Sequence, residues 1–168
     1  MDLLVIRHAV AGDRAEFAKT GRPDAERPVT SAGAKKMRQA ARGLQSLVPA
    51  IDVLATSPLT RARQTAEIVA RVYGGPNPIE MAELAPEVAP AALFERLDAF
   101  GDSKTVAVVG HEPALGVAVS VLLAKRQASL LELKKGAACL LRCPGGCRPG
   151  AALLVWSLAP RHLRGLAP

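Results

Sequence analysis

Short apolar runs alternate along this chain with longer stretches of helical period. Leu3-Leu4-Val5-Ile6 is an unbroken apolar run that stops at Arg7, the pattern of a strand buried on both faces of a parallel sheet. Residues 13–28 have no period and are rich in charge, Gly and Pro, which predicts a surface loop. Beyond them Met37, Ala40, Ala41, Leu44 and Leu47 recur at helical spacing. Thr30 or Ser31 supplies an N-cap and Pro49 a stop, while Lys35, Lys36, Arg38 and Arg42 fall largely on the wet face.

The alternation then repeats. Residues 51–56 read as a second buried strand, and residues 59–73 as a helix that Gly74-Gly75-Pro76 terminates. Residues 78–85 are expected to be extended. Residues 90–100 form a helix with Pro in its first turn and Leu93, Phe94 and Leu97 on one face. Thr105 to Val109 is the clearest strand of all. Gly110 lets it turn, and a helix runs from Pro113 to the neighbourhood of Leu123. Residues 137–142 and 151–158 close the chain as two strands joined through Pro144-Gly145-Gly146. This order predicts a three-layer α/β/α sandwich, its sheet mainly parallel with a C-terminal β-hairpin, in a single domain spanning residues 1–168.

Composition sharpens that picture. At 168 residues folding removes roughly two thirds of the unfolded chain's surface from water, enough for a self-sufficient core. Hydrophobic residues make up 49% but aromatics only 3%, so the core is built from Ala, Leu and Val, which lets helices pack closely on a sheet. The net charge of +7 comes from scattered Lys and Arg with no aromatic stacking platform. Anionic substrates explain the excess as well as nucleic acid does; no nucleic-acid partner is expected, and a nucleic-acid binder stays a third option from charge alone. The apolar opening is too short for a signal peptide, and no run of about eighteen apolar residues follows, so no membrane contact and a cytoplasmic location are expected. Cys139, Cys143 and Cys147 lack both the C-x2-C spacing and the nearby His that zinc sites prefer, and are read as reduced thiols.

Chemistry enters at the strand ends, because open α/β sheets bind ligands beyond the carboxyl ends of their strands. The first strand ends in Arg7-His8. The second leads into Ser57-Pro58-Leu59-Thr60-Arg61, and the clearest one ends in Gly110-His111-Glu112-Pro113. A neutral imidazole is a competent nucleophile, and neighbouring guanidinium groups disfavour its protonated form. Arginine's planar fork can hold two phosphoryl oxygens at once. No Walker loop, acidic metal cluster or H-E-x-x-H pattern is present, so the arginines carry the positive charge themselves, with neither metal nor cofactor.

The stretches LLVIRHA at the start, TSPLTRARQTAEIV at 56–69 and VAVVGHEPALG at 106–116 together resemble the histidine phosphatase superfamily, the fold of phosphoglycerate mutases and acid phosphatases. The small size and the segment DAERPVTSAGAKK at 24–36 resemble its SixA-type phosphohistidine phosphatases most. The resemblance implies that His8 is transiently phosphorylated, that Arg7 and Arg61 hold the phosphoryl group, and that His111 stabilises the transition state. Asp24 and Arg27 match a loop bordering the substrate groove and are expected to contact substrate or to form an ion pair with each other. Glu83, in MAELAPE, resembles the acidic position of a short E-L-x-P motif and is the candidate general acid; otherwise it is an exposed glutamate. Ala9 stands where many members have Gly. A site without a committed acid suits a phosphohistidine, whose imidazole leaves more easily than an alkoxide. The expected substrate is thus a phosphohistidine-bearing protein. A small phosphate ester, a nucleotide pyrophosphate and a non-catalytic phosphoryl-binding module are the alternatives. His162 and Trp156 are expected at the surface and in the hairpin, away from the chemistry.

Overall fold

Strands too apolar to face water on either side form the middle of a six-stranded sheet in the computed structural model, which describes residues 1–168. The strands are β1 (Asp2–Arg7), β2 (Val53–Thr56), β3 (Ile79–Glu80), β4 (Thr105–Gly110), β5 (Ala138–Arg142) and β6 (Leu153–Leu158). Their spatial order is β3-β2-β4-β1-β5-β6. The first four run parallel, β5 pairs antiparallel with β1, and β6 pairs antiparallel with β5. The helices are α1 (Arg14–Ala18), α2 (Ser31–Leu47), α3 (Thr60–Tyr73), α4 (Pro90–Asp98), α5 (Ala114–Ala124) and α6 (Pro160–Gly165).

Alternate residues of each central strand feed two separate cores, as the two-residue period of a strand dictates. Leu4, Ile6, Ala107 and Val109 pack with α2, α3 and α6. Leu3, Val5, Val106 and Val108 pack with α4 and α5 on the other face. The three predicted layers follow. Helix α2 begins where Thr30 accepts a hydrogen bond from the Gly33 amide, and it buries Met37, Ala40, Ala41 and Leu44. Gly74 ends α3 in the left-handed conformation, which only glycine adopts without cost.

Three segments differ from expectation. Residues 13–28 contain α1, capped by the Asp13 side chain on the Glu16 amide, and a 3-10 turn at Asp24–Glu26. Within residues 78–85 only Ile79–Glu80 pair as a strand. A 3-10 turn at Ala82–Leu84 follows, since Met81 and Leu84 are both buried, a spacing of three that an alternating strand cannot satisfy. Helix α6 was not foreseen. Its fully buried Leu163 and the glycine at position 43 of α2 let the two helices touch backbone to backbone; a Cβ on Gly43 would run into the Leu163 carbonyl. No helix is long and apolar enough to cross a membrane.

Candidate active site

Parallel pairing brings the carboxyl ends of β1, β2 and β4 to one edge, with Arg7 opposite Gly110 and Thr56 opposite Val109. Backbone hydrogen bonds continue past the strands, from the His8 amide to Gly110 O and from the Ser57 amide to Val109 O. The structure therefore gathers Arg7, His8, Arg61 and His111 around one cleft of about 550 Å³, together with Arg14, Asp24, Arg27, Glu87, Glu112 and Lys135. The His8 and His111 rings lie 5.0 Å apart, centroid to centroid, tilted by 52°.

Each reactive group is aimed by a neighbour. His8 Nδ1 is 2.7 Å from Ala9 O, and since a carbonyl only accepts, the proton sits on Nδ1 and the lone pair on Nε2. Ala9 is held in turn by its amide, which donates to Thr65 Oγ1 at 3.0 Å, while that hydroxyl donates to Arg61 O at 2.6 Å. His111 Nε2 shares a hydrogen bond of 2.9 Å with Ser57 Oγ. Arg7 donates through Nη1 to Leu133 O at 2.6 Å, and the Leu133 amide donates to Glu112 Oε1. Arg61, in the first turn of α3, donates to Asp24 O at 2.9 Å and pairs with its carboxylate.

Burial sets the protonation states. His8 is 5% exposed and His111 3%. Loss of hydration lowers the pKa of His8 to about 4, helped by the charges of Arg61, Arg7 and Lys135 and opposed by the bond to Ala9. The pKa of His111 falls to about 3, again mainly through burial, then through His8 and the two arginines. Both rings are neutral at pH 7. Four buried side-chain polar atoms in the whole protein lack a partner, and three of them are Arg7 Nε, Arg61 Nε and His111 Nδ1. An unsatisfied buried polar atom costs roughly 1–3 kcal/mol, and these three belong to residues that line the cleft.

The remaining sequence candidates divide. Asp24 and Arg27 line the cleft and bond to each other at 2.8 Å, with Arg27 also donating to Gly12 O. That pair is partly buried and extends to Arg14 and Arg61; the hydrogen bond from Arg27 is the main cause that keeps Asp24 below the usual carboxylate range. Glu83 does not line the cleft. The turn that buries Leu84 sends it to a small apolar crevice with Leu93 and Leu115, and Glu87 reaches the cleft instead. Sequence reasoning missed Glu87, Thr65 and Lys135 as cleft or scaffold residues. His162 is exposed on α6 and Trp156 is half-buried on β6, both outside the cleft. All three cysteines are free and buried, and no group of three or more His, Cys, Asp or Glu side chains is arranged to hold a metal ion.

Fold and cleft together define the class as a phosphatase. The chain belongs to the histidine phosphatase superfamily (branch 1), which its sequence matches over residues 3–88. An uncharacterised protein of Picosynechococcus sp. is 38% identical over 155 residues, covering 90% of this chain and 87% of the relative. Among solved structures, the protein histidine phosphatase SixA complexed with tungstate superposes with a TM-score of 0.83 at 24% identity, over 97% of this chain and 99% of that one. The alpha-ribazole phosphatase from Shigella flexneri gives 0.75 at 16% identity, over 95% and 97%. Likenesses at this identity carry the fold.

Proposed function

We propose that the protein hydrolyses phosphohistidine on a partner protein, without metal, through a covalent phospho-His8 intermediate. The observation that carries this reading is the pair of buried, neutral imidazoles beside Arg7 and Arg61, with the Nε2 lone pair of His8 free of any hydrogen bond inside the protein. In the first half-reaction His8 Nε2 attacks phosphorus and the P–N bond to the substrate imidazole breaks. Arg7 and Arg61 pair with the equatorial oxygens, where a loose transition state spreads its charge. Ser57 Oγ–H donating to His111 Nε2 puts the His111 proton on Nδ1, from which it is offered to a phosphoryl oxygen. The substrate ring carries a proton on its remote nitrogen, taken from solvent at the open mouth, and so departs as neutral imidazole. In the second half-reaction water attacks phospho-His8, releasing phosphate and restoring neutral His8.

The carboxylates in the cleft support a P–N bond over a P–O bond. Asp24 is bound by three arginines and held below the usual carboxylate range, and Glu112, pushed up by burial, has both oxygens engaged by the Leu133 and Gly116 amides and turned away from proton transfer to substrate. A phosphohistidine protonated on its remote ring nitrogen expels neutral imidazole, whose conjugate acid has a reference pKa of about 6.5, so no protein acid has to protonate the departing nitrogen. Glu87 is the observation that favours a second reading. It is exposed at the cleft, has no ion-pair partner, and can protonate the alkoxide of a small phosphate ester.

The test compares a phosphohistidine-bearing protein with p-nitrophenyl phosphate and a panel of phosphate esters, all in EDTA. Wild type is expected to release phosphate fastest from the phosphohistidine and to form an acid-labile, base-stable phosphoenzyme. His8→Ala is expected to form none. Turnover of esters alone selects the second reading, and an acid-stable phosphoenzyme or an active His8→Ala variant rejects the mechanism.

A further inference from the structure

Beside the reactive cleft lies a second depression of about 180 Å³, between the start of α2, the turn before β5 and helix α6. Its floor is apolar, formed by Val10, Met37, Ala40 and Pro160, and its rim carries Lys36, Lys135 and Arg164 with no acidic residue. None of those three cations takes part in an ion pair. Two glycines shape the floor. Gly136 holds a φ of +78°, which side chains rarely adopt, and faces Met37 and Pro160, while a Cβ on Gly33 would strike the Val10 carbonyl. Lys135 lines this depression and the reactive cleft alike, and Ala9 in its wall is the residue after His8.

We infer that this depression is a substrate subsite that takes a carboxylate on a short apolar stem, a few atoms beyond the transferred phosphoryl group. The inference rests on phosphoryl transfer at His8 as proposed above. Its physical basis is complementarity. Three unpaired cations favour an anion, the apolar floor favours a hydrocarbon stem, and the shared Lys135 bridges the second anion to the first. Two sources offer this chemistry: an acidic side chain near the phosphorylated residue of a protein, or the carboxylate of a small phosphorylated acid.

The experiment compares phenyl phosphate with 4-(2-carboxyethyl)phenyl phosphate, in wild type and in a Lys36→Gln/Arg164→Gln double variant, both positions being at the surface and outside the cleft. In wild type the carboxylated ester is expected to show a KM about tenfold lower at similar kcat, and in the variant the KM ratio falls to near one. A ratio near one in wild type, or an undiminished ratio in the variant, overturns the subsite. A parallel titration with 3-phenylpropionate, followed by amide NMR, is expected to shift Gly33 and Gly136 in wild type and not in the variant; absence of those shifts also overturns it. If neither ester is hydrolysed, the failure belongs to the reading of the cleft, and the titration still decides the subsite. Phosphohistidine peptides with and without a neighbouring glutamate then separate the sources: an acidic-peptide preference assigns the site to a protein substrate, and a preference among esters alone assigns it to a small acid.

Discussion

Replacing Thr65 by Val exchanges a hydroxyl for a methyl group in the middle of the site while nearly preserving its shape. Thr65 is fully buried on α3, and its oxygen is the hydrogen-bond partner of the Ala9 amide. The bond it donates to Arg61 O matters less, because that carbonyl lies within the α-helix and has the helical ladder available. The variant therefore strands one buried N–H, a cost of about 2 kcal/mol. For a chain of this length that lowers Tm by about 4–8 °C. The same change slackens Ala9, whose carbonyl holds the His8 ring by its Nδ1–H, so kcat for p-nitrophenyl phosphate is expected to fall about tenfold with a smaller change in KM. Thr65→Ser is the control. It keeps the oxygen, loses a methyl group worth ~1 kcal/mol, and should retain most of kcat despite its lower Tm. Calorimetry and steady-state kinetics on the three proteins read both effects. A Thr65→Val enzyme as stable and as active as wild type would show that Thr65 does not position His8 through Ala9.

The depressed histidines couple stability to pH. Unfolded, both bind protons below about 6.5, whereas folded His8 and His111 do so only below about 4 and about 3, so the unfolded state holds more protons between those limits. Tm should be flat above pH 7 and fall as pH drops from 6.5 towards 3, a slope that His8→Asn and His111→Asn each reduce; an unchanged slope in both variants refutes the assignment. Glu83→Gln should leave turnover within twofold for every substrate, because Glu83 does not reach the cleft, whereas Glu87→Gln should slow esters about tenfold and phosphohistidine little. Gly43→Ala places a methyl group against the Leu163 carbonyl and should cost about 1–3 kcal/mol by thermal denaturation while sparing kcat for p-nitrophenyl phosphate.

What the sequence disclosed about this fold tracks the length over which a pattern repeats. Strand β4 and helix α2 have four or more apolar positions in register, and their ends fall within a residue or two of expectation. Helix α6 has six residues and one buried side chain, too few for a periodic signal, and its stability comes from α2, 120 positions away in the contact between Ser46 and Leu166. At the site, Arg7, His8, Arg61 and His111 were legible because strand ends in a parallel sheet converge by topology alone. Thr65, Lys135 and the Leu133 carbonyl were not, since each acts on a partner 56 or more positions away, or from a loop without regular structure. Glu83 and Glu87 show the limit of local pattern. Both stand near an extended segment, but one 3-10 turn decides which of them faces the cleft.

The scaffold behind the candidate site consists mostly of peptide groups. Ala9 O aims His8, Leu133 O holds Arg7, and Asp24 O holds Arg61, at 2.7, 2.6 and 2.9 Å. A carbonyl fixed in the backbone has no rotamers to lose, so it holds a donor at little entropic cost, and it has no charge to neutralise the arginine it restrains. The arginine charge that remains is offset mainly by Asp24, which serves Arg14, Arg27 and Arg61 together and therefore compensates each only in part. The cleft is thus left electropositive while its cations are held in place, which is the condition for binding a phosphoryl group tightly without a metal ion. Its carboxylates respond differently: the arginines hold Asp24 ionised, while burial raises Glu112 and the Leu133 and Gly116 amides occupy both of its oxygens, which leaves Glu87 as the cleft carboxylate without a partner.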